Sequence, residues 1–145
     1  MRLLPTATAL LVLACAGCGS TPTGPSGAVI ELNANSFDQV VLARSGASMV
    51  EFFLPTCPHC QAMVSTVERL GQDYSGRALV GRVDVSSQSS LATSYRVSAV
   101  PTFVFFRQGR EVSRLVGEDS YAHLAAALDA AIAAPRAKLR PGSSD

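Results

Sequence analysis

The chain has 145 residues, 48% of them hydrophobic and 16% charged, which excludes a disordered protein and allows one ordinary domain with short appendages. Twelve Lys and Arg against eleven Asp and Glu give a net charge of +1, and no basic run stands out, so nucleic-acid binding through phosphate neutralisation is not expected. The four cysteines, at positions 15, 18, 57 and 60, are too few for a disulfide scaffold and fall into two close pairs.

The first pair follows a targeting segment. Met1-Arg2 is a minimal positive start, and Leu3 to Ala14 is an apolar run too short to span a bilayer, as in a secretory leader. Ala14-Cys15-Ala16-Gly17-Cys18-Gly19-Ser20 comes next and resembles the lipobox of bacterial lipoproteins. In that family the cysteine is lipidated and becomes the first residue of the mature chain. Cys18 has the preferred Ala16-Gly17 before it, although Cys15 then stands where Leu is usual. Cys15 is the alternative, but lipidation there would leave Cys18 as an odd thiol. The adopted reading is a signal peptide over residues 1–17 with lipid on Cys18; a plain secreted protein is the other. Either places the domain outside the cytoplasm, where disulfides persist. With a lipid on Cys18 it sits at the membrane, on the periplasmic side in a Gram-negative cell.

Residues 18–27 continue as a flexible tether, since Gly19 to Gly27 holds only Gly, Ser, Thr and Pro. Ala28 to Leu32 reads as a short strand. Ser36 and Gln39 have the spacing of a capping box, with Phe37, Val40 and Val41 on the apolar face of the short helix that follows. Met49 to Leu54 is nearly all apolar, as in a strand covered on both faces. A helix opens at Cys57-Pro58, where proline costs nothing in the first turn, and buries Met63, Val67, Leu70 and Tyr74.

Ala78 to Val85 predicts another buried strand and Ser90 to Tyr95 a short helix. Two strands then flank a turn at Gln108-Gly109 as an antiparallel hairpin. The last helix starts at Ser120, with Tyr121, Leu124, Leu128 and Ile132 as its buried stripe and His123 on its surface. Residues 135–145 are a polar tail, so the domain spans 28–134. This order predicts an α/β fold, a three-layer sandwich with a central mixed sheet of about five strands and helices on both faces.

Cys57-Pro58-His59-Cys60 sits where a buried strand gives way to a helix. The thiolate is the species that attacks a disulfide, and a helix N-terminus lowers a thiol's pKa through its partial positive charge and free N–H groups. Pro58 shapes that turn, and His59 can add a donor or a charge near the Cys57 sulfur. One helical turn brings Cys60 within bridging reach of Cys57.

The domain resembles thioredoxin over residues from about 28 to 133. The match rests on Val50 to Leu54 leading into the CPHC motif, on Ala99-Val100-Pro101-Thr102 before a strand, and on Gly109 and Gly117. The resemblance implies the thioredoxin fold and makes Pro101 the cis-proline beside the disulfide, with Val100 offering its backbone to a substrate strand. It places Glu51 as a buried acid exchanging a proton with Cys60, and Arg82 where a lysine near that acid is common. Arg82 either pairs with Glu51 or is solvated. No organic cofactor or metal is implied beyond the Cys57–Cys60 pair itself.

The departures bear on direction. Thr56 stands where thioredoxins carry Trp, and Pro58-His59 replaces Gly-Pro. Proline-histidine is the dipeptide of the periplasmic disulfide oxidases, whose large helical insertion has no room here. The expected function is a membrane-anchored thiol–disulfide oxidoreductase acting on protein thiols and disulfides of the cell envelope, with a redox partner the sequence does not name. Oxidation or isomerisation is favoured over reduction. A monomer fits the tether and neutral charge. The rival readings are a metal-binding or copper-delivery protein using the CPHC segment, and a non-catalytic module that has kept the fold.

Overall fold

A computed structural model describes residues 29–135. The segments read as a leader over residues 1–17, with Cys15, and a tether over 18–27, with Cys18, and the tail beyond Pro135 lie outside the described residues.

The elements run β1 (Ile30–Glu31), α1 (Ala34–Phe37, continued by a π-helical turn over Asp38–Leu42), β2 (Ala47–Phe53), α2 (Pro58–Asp73), β3 (Ala78–Asp84), α3 (Ser89–Ser94), β4 (Thr102–Arg107), β5 (Arg110–Val116) and α4 (Tyr121–Ala133). The sheet order is β1-β3-β2-β4-β5. β3 pairs parallel with β1 and β2, while β4 runs antiparallel to both β2 and β5, so the sheet is mixed as predicted.

Strand alternation sorts the apolar residues into two cores. Ala47, Met49, Val80, Phe103 and Phe105 face α2 and α4, which contribute Met63, Val67, Leu70, Leu124 and Leu128. Val50, Phe52, Leu79, Val83, Val104 and Phe106 face the other way, against Phe37, Val41 and Leu91. The Phe37 ring lies 5.0 Å from Tyr95 and 5.9 Å from Phe106 in tilted and edge-on contacts. Each fully buried Phe contributes about 2–3 kcal/mol by removal from water, which makes β2 and β4 the spine of the domain.

Two sequence expectations shift. The capping box lies three residues earlier than Ser36 and Gln39: Asn33 is the N-cap and accepts from the Asn35 and Ser36 N–H groups, while Ser36 Oγ accepts from the Asn33 N–H. Asn33 holds an extended backbone and caps at least as well as serine, so the helix starts there and Ser36 becomes the reciprocal partner. In α4 the buried stripe is Leu124, Leu128 and Ala131, with Tyr121 and Ile132 only half-buried. Ser120 caps this helix as predicted, accepting from the His123 N–H at 3.2 Å.

The register brings three chain segments to one end of the strands. Phe52 pairs with Thr102, and Thr102 with Val116. The turn after β2, the segment before β4 and the loop after β5 are therefore neighbours. At the opposite end of the strands Gly109 has φ +70°, and a Cβ there would stand 2.0 Å from the Leu42 carbonyl oxygen. Only glycine lets the hairpin tip close against that helical turn.

Candidate active site

Cys57 is the N-cap of α2, with Pro58 in the first helical turn. The turn leading to it is held by the Cys57 N–H donating to the Leu54 carbonyl at 3.0 Å and by Gln61 Nε2 donating to the Pro55 carbonyl at 2.9 Å. These bonds present a half-buried sulfur over the helix N-terminus. Its S–H faces the Val100 carbonyl oxygen at 3.9 Å.

The two thiols are unequal. The backbone N–H of Cys60, above all, lowers the Cys57 pKa from its ordinary value, helped by the Cys60 thiol and the His59 N–H. Burial and the Glu118 carboxylate work the other way. Cys60, 1% exposed, is pushed up to about 11, mainly by its burial. Cys57 is thus built to be the accessible thiolate, and Cys60 the protonated thiol behind it.

Glu51 is fully buried on β2, on the face that carries α2. Arg82, its register partner on β3, donates Nε–H to Glu51 Oε2 at 3.1 Å and lays its guanidinium 4.0 Å over the Phe53 ring. Glu51 Oε1 has no hydrogen-bond partner. Burial raises the Glu51 pKa to about 7, and Arg82 only partly offsets this. The carboxylate is also among the charges that raise the Cys60 pKa. A cavity of about 180 Å³, lined by Cys60, Val64, Phe53 and Arg82, opens beside the pair. It is large enough to admit water to the Cys60 and Arg82 side chains that line it.

Pro101 is buried and follows a cis Val100–Pro101 peptide bond. Its carbonyl accepts the Gly117 N–H at 2.8 Å, and Thr102 Oγ1 donates to the Ala99 carbonyl at 2.7 Å. Val100, half-buried, borders both the Cys57 sulfur and an open groove of about 360 Å³ lined by Val85, Ala92, Val97 and Ala99. His59 is exposed, and its Nδ1 pairs with the Glu118 carboxylate. What reaches Cys57 from His59 is its backbone N–H.

The sequence profile of the thioredoxin family matches residues 28–130. The chain belongs to the thioredoxin family. It is similar to the thioredoxins of Staphylococcus aureus strains N315 and Mu50, each 32% identical over 102 residues that cover 70% of this chain and 96% of theirs. Membership carries thiol–disulfide oxidoreduction in general and needs no cofactor beyond the cysteines.

In this family member the structure gathers Cys57, Pro58, His59, Cys60, Val100 and Pro101 at one end of the interior strands β2 and β4, with Glu51 on β2 behind them. Three features of the site were not read from the sequence. Glu118 pairs with His59, while its neighbour Asp119 takes the contacts at the start of α4, accepting from the Ser120 N–H and pairing with His123. The only signal for Glu118 was its position after Gly117. The Arg82–Glu51 pairing was left open, and the groove beside Val100 was unseen. Among the described residues no group of three or more His, Cys, Asp or Glu side chains converges as a metal site.

Proposed function

We propose that this chain is a membrane-tethered thiol–disulfide oxidoreductase that works outside the cytoplasm and exchanges disulfides with envelope proteins. The observation that carries the exchange chemistry is the pairing of a half-buried, thiolate-favouring Cys57 with a buried Cys60 whose pKa is raised to about 11. Tethering rests on the lipobox-like segment at Cys18.

As an oxidant, the disulfide form is attacked at Cys57 Sγ by a substrate thiolate, and the Cys57–Cys60 bond breaks. The electron pair leaves on Cys60, which takes a proton relayed from Glu51. A second substrate thiolate attacks the substrate sulfur of the mixed disulfide and releases Cys57 as a thiolate. Two electrons pass from the substrate dithiol to the protein, and one disulfide forms as one breaks. Run backwards, Cys57 attacks a substrate disulfide and Cys60 resolves the adduct after passing its proton to Glu51. A carboxyl with a pKa of about 7 serves both directions near neutral pH. The Val100 carbonyl docks the substrate segment.

Oxidation or isomerisation is favoured because a stabilised Cys57 thiolate stabilises the reduced form, which makes the disulfide the better oxidant. The test is disulfide formation in a reduced, unfolded substrate, alongside insulin reduction, for the wild type and Cys57→Ser. Both activities vanish in the variant on this reading. A wild type as slow as Cys57→Ser in both assays would leave a non-catalytic module.

A further inference from the structure

Glu118 lies in the loop between β5 and α4, directly after Gly117, whose φ of +95° turns the chain back toward the active-site edge. The Gly117 N–H donates to the Pro101 carbonyl, which fastens this loop to the segment that faces Cys57. Glu118 is thereby set across from the first turn of α2, where its carboxylate pairs with His59 Nδ1. The neighbouring Asp119 is committed to Ser120 and His123, so of these two acids only Glu118 faces the site.

The pair does little for stability. Its side chains are 71% and 48% exposed, and ion pairs in that setting contribute almost nothing to folding. Its meaning lies in what it borders. The groups that act on Cys57 are the backbone N–H groups of Cys60 and His59 and the Cys60 thiol from α2, the Val100 carbonyl from the segment before β4, and Glu118 from the loop after β5. Glu51 on β2 acts on Cys60 behind them. Among the described residues, Glu118 is the carboxylate in direct electrostatic opposition to the Cys57 thiolate.

We propose that Glu118 is a positioning residue that sets the redox poise of the Cys57–Cys60 pair, by engaging the His59 ring so that it is not free to serve the Cys57 sulfur. An imidazole free to turn toward the Cys57 sulfur can offer it a ring N–H; one whose Nδ1 is taken by the Glu118 carboxylate has that nitrogen spent elsewhere. Glu118 therefore keeps this pair short of the most oxidising limit. This rests on the reading that Cys57 and Cys60 cycle between dithiol and disulfide.

The experiment equilibrates the wild type, Glu118→Gln, Glu118→Asp, His59→Ala and the double variant His59→Ala/Glu118→Gln in glutathione buffers at pH 7. Oxidised glutathione plus the protein dithiol gives the protein disulfide plus two glutathione thiols. Glu118→Gln shifts this equilibrium about threefold toward the dithiol, the size an exposed charge pair supports. Glu118→Asp stays near the wild type, and Glu118→Gln has a smaller effect once His59 is Ala, because only the direct opposition of the carboxylate to the thiolate is then removed. An unchanged Glu118→Gln equilibrium overturns the proposal. So does an equal shift in the His59→Ala background, which would mean that engaging the His59 ring contributes nothing. A wild type with no Cys57–Cys60 transition would instead remove the redox reading beneath it.

Discussion

Glu51 and Arg82 face each other as register partners on adjacent parallel strands, with Nε 3.1 Å from Oε2 and the carboxylate fully buried. One carboxylate oxygen is answered and the other is not. The arrangement keeps a titratable acid in the core without locking it in the charged form.

One consequence is a pH-dependent stability. The Glu51 pKa of about 7 lies above its ordinary 4.5, so between these values the folded state binds the extra proton. The stability it contributes is complete below about pH 4.5 and is lost as pH rises through 7. Glu51→Gln removes this slope. Relative to the wild type it gains roughly 1–3 kcal/mol in urea unfolding between pH 5 and pH 8.5, both proteins being reduced. An equal difference at the two pH values would contradict the assignment.

The same carboxyl predicts a kinetic signature. In the reducing direction Glu51 must accept the Cys60 proton, so insulin reduction falls as pH drops through about 7. Glu51→Gln slows turnover by about 100-fold and abolishes that inflection. A variant with wild-type rate and profile would place the proton acceptor elsewhere.

The inequality of the thiols is directly readable by alkylation. In the reduced protein at pH 6.5, iodoacetamide modifies Cys57 and leaves Cys60 untouched, because Cys60 is both buried and held protonated. Peptide mass mapping checks this. Equal labelling of both residues would contradict the division of roles.

The proposed anchor is tested by fractionation. Cys18→Ser moves the protein from membrane to soluble fractions and abolishes metabolic labelling with a fatty acid, whereas Cys15→Ser does neither. The reverse pattern would make Cys15 the lipid site, and a soluble wild type would remove the anchor altogether.

Most of the fold was legible because its signals are local. Apolar runs gave β2 and β4, four-three-four spacing gave the inner face of α2, and Ser120 gave the start of α4. The cap of α1 was misplaced because Asn33 and Ser36 both suit the role, and only the backbone of Asn33 decides between them. The cysteine pair stands out by its motif, whereas Glu51 and Val100-Pro101 are singled out only by the resemblance to thioredoxin. What was not legible depends on segments far apart in sequence. Arg82 reaches Glu51 because β2 and β3 are in register over 31 positions of separation. Glu118 reaches His59, 59 positions away, because Gly117 is fastened to Pro101. No local pattern encodes either contact.

The central claim is that Cys57 and Cys60 form a redox couple whose reduced form is favoured by a stabilised Cys57 thiolate. The most direct measurement is its equilibrium reduction potential in glutathione buffers at pH 7. The expected value is less negative than about −230 mV, between the roughly −270 mV of thioredoxin and the roughly −120 mV of the strongest periplasmic oxidant. A value at or below that of thioredoxin would contradict the oxidising assignment, and a protein with no such transition would contradict the account as a whole.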